Sequence, residues 1–126
     1  MKNYPEMKSV KFIGSFSGTP IKENEFIFVI TSIESDGNDG KTGWGWSENR
    51  SWGWLATEKE AKHAVAINAG DMHETTYDYV VIEKSPSGIP TVAEVVAWYK
   101  WTGKNGPVWK RCKAPKWSEG ICNWGF

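Results

Sequence analysis

The chain is poor in the residues that most often carry chemistry, with two histidines and two cysteines among 126 residues. His63 and His73 form no His-x-x-x-His pair, and Cys112 and Cys122 are separated by nine residues rather than by zinc-ligand spacing. There is no Gly-x-Ser-x-Gly nucleophile elbow. Gly37-Asn-Asp-Gly40 follows a strand but lacks the lysine and the helix of a phosphate loop. No metal and no cofactor is therefore expected. Charge of one sign is also missing: fifteen basic and fifteen acidic side chains cancel. A general nucleic-acid coat needs a basic face, so that class is excluded. No apolar run approaches the length of a membrane-spanning helix. The first residues, Met1 to Lys8, lack the apolar core of a secretion signal. These absences lead us to expect a cytoplasmic single domain over 1–126, with no membrane contact and with Cys112 and Cys122 as free thiols in a packed C-terminal segment. A disulfide between them is the competing reading.

Aromatics are what the chain has in excess: nine Trp, four Tyr and five Phe. Four of the tryptophans lie in the near-palindrome Trp44-Gly-Trp46-Ser-Glu-Asn-Arg-Ser-Trp52-Gly-Trp54. Residues two apart in a strand share a face. If Glu48-Asn49-Arg50 is a turn, Trp46 pairs with Trp52 and Trp44 with Trp54, and the four indoles form one slab. Gly45 and Gly53 would leave the opposite face bare. Such a slab is either buried, in a core or an oligomer interface, or it is a platform for a ligand, because an exposed patch of that size aggregates.

Elsewhere the chain alternates strand and turn signals. Residues 1–9 read as an arm and Val10–Phe16 as a short strand. The β-branched and aromatic run Phe26–Ile33 is the clearest strand, of the two-sided central kind. Ser35–Gly40 is a loop. Thr57-Glu-Lys-Glu60 is a capping box. It opens a helix over about 58–69 whose stripe of Ala61, Ala64 and Val65 is small enough to lie close on a sheet, and Gly70 ends it. Tyr77–Glu83 is the next strand and Pro86–Gly88 a turn. Thr91-Val-Ala-Glu94 reads as a second capping box opening one helical turn to Ala97. Trp98–Trp101 and Val108–Arg111 flank a Gly-rich turn as a hairpin, and 115–126 is an irregular tail pinned by Trp117, Trp124 and Phe126. The order gives an α+β domain, an antiparallel sheet with one principal helix on one face.

The candidate ligand-binding residues are Trp44, Trp46, Trp52 and Trp54 for stacking and Arg50 or Arg111 for phosphate or carboxylate. These are the only arginines, and the guanidinium fork suits such groups. Asp71-Met-His73-Glu74 offers an acid–base pair, but no catalytic residue is assigned.

Laid side by side, Leu55–Val65, Tyr77–Lys84 and Trp98-Tyr-Lys-Trp101 resemble small α+β domains of unknown function common in bacteria and their phages. The resemblance covers roughly 26–101 and implies a phage or mobile-element accessory protein. The expected function is that of a non-enzymatic, self-associating binding protein. It would capture a host protein or a small nucleotide-like ligand, as inhibitors of host defence do. The alternatives are a protein–protein inhibitor with a Trp hot-spot patch, a carbohydrate-binding module, and an enzyme using His73 with Glu74.

Overall fold

The computed structural model describes residues 26–37, 44–86, 92–103 and 108–125. The expected arm, the strand at Val10–Phe16 and the turn after Pro86 lie outside them. The elements are β1 (Phe26–Ser35), β2 (Trp46–Leu55), α1 (Glu58–Ala66), β3 (Tyr79–Pro86), β4 (Glu94–Trp101), β5 (Trp109–Cys112) and a short 3-10 turn at Lys116–Ser118. The strands form one sheet in the order β2-β1-β3-β4-β5, and every neighbouring pair is antiparallel. With α1 packed on one face this is an α+β domain. None of the described helices is long and apolar enough to cross a membrane.

β1 is the strand its sequence promises, buried from Ile27 to Ile33 because side chains of both parities meet a covering layer. On one face Phe28, Ile30, Val80 and Ile82 receive Ala61, Ala64 and Val65 of α1. Thr57 caps that helix: its Oγ1 accepts from the Glu60 amide at 3.1 Å and donates to Glu60 Oε1 at 3.0 Å. The helix stops earlier than Gly70. Asn68, at φ 51°, takes the left-handed position, while Asn68 N–H donates to Val65 and Ala69 N–H to Ala64. This is the paired bonding of a Schellman ending, with asparagine in glycine's place.

Two local expectations are corrected. Residues 46–55 are not a tight hairpin but one continuous strand, laid along β1 from Phe28↔Leu55 to Ser35↔Trp46. Ten residues of β1 offer a longer ladder than a three-residue turn would close. The segment after Thr91 is likewise strand rather than helical turn, since Glu94–Trp101 pairs with β3. Val95, Val96, Trp98 and Tyr99 all prefer a pleated surface, and that preference outweighs one capping signature. The 98–111 hairpin forms as expected, with Trp101 opposite Trp109.

Among the described residues the other face of the sheet is covered by the tail rather than by an α-helix. Ile33, Val81, Trp98 and Trp124 form its centre, with Trp46, Tyr79, Cys112, Trp117 and Ile121 against them. The rings meet edge to face, Trp46 on Trp124 at 5.0 Å and Trp98 on Trp117 at 5.8 Å. Glu83, fully buried, holds this layer down: its two carboxylate oxygens accept the Asn123 amide at 2.6 Å and the Trp124 amide at 2.7 Å. Burial raises the Glu83 carboxyl above its ordinary range, and the amide donors offset part of that rise.

Candidate functional site

The four palindromic tryptophans do not share a face. Trp46 joins the tail-side cluster and Trp54 packs with Ile27 and Val29 on that same side. Trp52 lies on the helix side, because the ladder slips between Ile30↔Gly53 and Thr31↔Ser51 and turns it over. Trp44 stands 76 % exposed ahead of the strand. The expected slab is thus dispersed by two register shifts, at Trp52 and at Ser47, and by the position of Trp44 ahead of the strand. Gly45 serves packing instead: a Cβ there would fall 2.3 Å from Trp117 Cβ. Arg50 and Arg111 sit on β2 and β5, the two opposite edges of the sheet, so no single site uses both. Arg111 donates to the Val96 carbonyl at 3.4 Å and lies 5.9 Å from the Tyr99 ring.

What the fold does bring together is a patch on the helix-side rim, around the connection from α1 to β3. Four non-glycine residues there hold positive φ: Asn68 at 51°, Asp71 at 60°, Glu74 at 48° and Thr75 at 61°. Each such residue costs on the order of 1–3 kcal/mol unless its surroundings impose it. Here they do. Asn68 Oδ1 accepts both the Met72 amide and Trp109 Nε1, each at 2.9 Å. Ser32 Oγ donates to the Met72 carbonyl at 2.7 Å and itself accepts from Trp52 Nε1 at 2.7 Å. Met72 and Tyr77 are buried beneath.

The side chains gathered around this loop are planar or charged, and they meet in two groups. The Arg50 guanidinium lies 4.1 Å from the Trp52 ring centre and pairs with the Glu74 carboxylate. Next to Glu74, the His73 imidazole stacks on Trp101 at 4.0 Å with 4° between the planes. Trp101 in turn meets Trp109 edge to face at 5.1 Å. Trp52, His73, Glu74 and Trp101 are all half-buried, each with part of its surface in solvent.

His73 and Glu74 do not act on one another. Glu74 is engaged by Arg50, and His73 Nδ1 lies 2.7 Å from the Tyr77 carbonyl. A carbonyl oxygen only accepts, so Nδ1 carries the proton, and in the neutral ring Nε2 is the acceptor. Tyr77 has its hydroxyl pushed up, first by burial and then by the Glu48 and Glu74 charges. Both cysteines are free, and burial raises the Cys112 thiol, which keeps it protonated and unreactive. Among the described residues no three His, Cys, Asp or Glu side chains gather as a metal site would require.

Sequence reasoning found Arg50, Trp52 and the His73-Glu74 pair as separate features. It missed Trp101 and Asn68. The available signal was Asn68 followed by Gly70-Asp71, a run of residues that tolerate left-handed backbone. No family model, curated protein or solved structure matches the chain.

Proposed function

We propose that this is a non-enzymatic binding protein that captures a planar, nucleotide-like ligand on the helix-side rim, in the manner of an inhibitor that sequesters rather than transforms. The reading rests on one observation: a loop strained at four positions carries, on the consecutive residues His73 and Glu74, the His73–Trp101 stack and the ion pair to Arg50, which in turn lies over Trp52. Backbone strain of that density is maintained where geometry matters. A planar ligand gains roughly 1–3 kcal/mol per ring stacked, the guanidinium offers donors to a phosphate or carboxylate, and His73 Nε2 offers one acceptor. Trp101, His73, Trp52 and Arg50 are the binding residues; Trp46 and Trp54 leave the set because they are packed on the far side.

The same patch supports a second reading, a hot spot for a protein partner, favoured by the weight of Trp and Arg in such patches. Intrinsic fluorescence titrated with nucleotides separates the two. The ligand reading expects saturable quenching by nucleotides that Trp101→Ala and His73→Ala each weaken about tenfold or more, the loss of one stacking partner. No response to any nucleotide removes that reading and leaves the partner surface.

A further inference from the structure

The symmetry of the Trp-rich segment has no use inside one molecule once the segment is a single strand. Outward from Asn49, Ser47 matches Ser51, Trp46 matches Trp52, Gly45 matches Gly53 and Trp44 matches Trp54. The one mismatch is Glu48 against Arg50, and those two are opposite in charge. An antiparallel strand that meets its own copy across a two-fold axis at Asn49 therefore sets Glu48 of each copy against Arg50 of the other. We propose that the outer edge of β2 pairs in this way with β2 of a second copy, joining two five-stranded sheets into one.

Three observations carry this. First, β2 is the terminal strand of the sheet among the described residues, and Ser47 through Ser51 are exposed without interruption. Second, the backbone is aimed correctly. Asp78 N–H donates to the Ile33 carbonyl at 3.1 Å and Ser35 N–H donates to Asp78 Oδ1 at 2.8 Å, so Ile33 and Ser35 direct their backbone groups toward β3. Asn49 lies opposite Ile33, and Ser51 opposite Thr31. In an antiparallel ladder such residues turn their own N–H and C=O away from β1, toward the open side. Asn49 then bonds Asn49 of the second copy, and Ser51 meets its Ser47.

Third, the charges across β1 and β2 are unbalanced among the described residues. Glu34 and Glu48 lie directly opposite across β1 and β2, a like-charge pair that disfavours the strand. Arg50 of a second copy supplies the missing cation on that same face. Its five N–H donors let it keep the Glu74 contact at the same time. The register shifts at Glu34/Ser35 and Ile30/Thr31 bound the pairing to Ser47–Ser51, the length of an ordinary strand. The interface is isologous, so it closes at two copies.

The experiment is sedimentation equilibrium on the full chain over a hundredfold range of concentration, with native mass spectrometry on mixtures. The wild type is expected to dimerise. Glu48→Arg and Arg50→Glu each place like charges across the axis, and each is expected to weaken self-association about tenfold or more. Mixed in equal amounts, the two variants are complementary and should form the heterodimer, and the double swap should dimerise like the wild type. Should a swap fail to fold, Glu48→Gln and Arg50→Gln serve instead, with weaker association and a loss of its salt dependence expected. A wild type that stays monomeric, swaps that dimerise unchanged, or a mixture that fails to pair each overturn the proposal.

Discussion

The two faces of the sheet are both rich in tryptophan, yet they use it differently. On the helix side, Trp52 and Trp109 have their indole N–H groups engaged, by Ser32 and by Asn68. On the tail side, Trp46, Trp54 and Trp124 bury theirs with no partner among the described residues. A buried donor left unpaired costs about 1–3 kcal/mol, so the tail-side rings are there for flat apolar area, gained at that expense. The helix-side rings work through their polar ends, which hold the 68–75 loop in its strained form. One face is a core assembled from rings; the other is a scaffold that displays them. An indole's role follows from what its nitrogen meets, and counting tryptophans does not reveal it.

That contrast can be broken most sharply on the tail side. Trp124→Ala should destabilise the fold by about 3–5 kcal/mol, as deletion of a buried indole does, whereas Trp44→Ala should cost no more than about 0.5 kcal/mol. Urea denaturation measures both, and similar values would erase the distinction between packed and displayed rings. Asn68→Gly keeps the left-handed backbone but strips the acceptor from Trp109 Nε1 and the Met72 amide. It should lower stability by about 1–3 kcal/mol for the buried donor left open and weaken any ligand binding at His73 and Trp101. Thr57→Ala removes the helix cap at a cost of about 1 kcal/mol, and binding at the rim should be unchanged.

Glu83 adds a pH signature to the tail side. Its folded carboxyl is raised above the unfolded value, so the folded state binds the proton more tightly. Its contribution is fully present below the unfolded value near 4.5 and is lost as pH rises through the folded one. Thermal denaturation of wild type against Glu83→Gln should show their stability difference narrowing as pH rises through that window. A difference that widens instead would mean the amide donors outweigh burial.

Much of the fold was legible where local chemistry decides it. The β-branched run of β1, the Thr57 cap with its alanine stripe and the aromatic strands paired as β4 and β5 each specify their element without help. Legibility failed where the decision belonged to a distant partner. The tryptophan palindrome satisfies a hairpin as well as a strand, and only the length of β1 selects the strand. The Thr91-x-x-Glu94 signature is outvoted by β3. The rim site was half visible, since Arg50, Trp52 and His73-Glu74 stood out by type. Their assembly depends on Trp101, twenty-eight residues beyond His73 in sequence, and on a bulge that turns Trp52 over, and neither leaves a local mark.

The division of the indoles between a closed core and an open rim is tested most directly by amide-type hydrogen exchange of the nine indole N–H groups, followed by NMR. Trp54, Trp109 and Trp124 should exchange slowest, Trp52 and Trp101 at intermediate rates, and Trp44 fastest. Tail-side indoles that exchange as fast as Trp44 would contradict it.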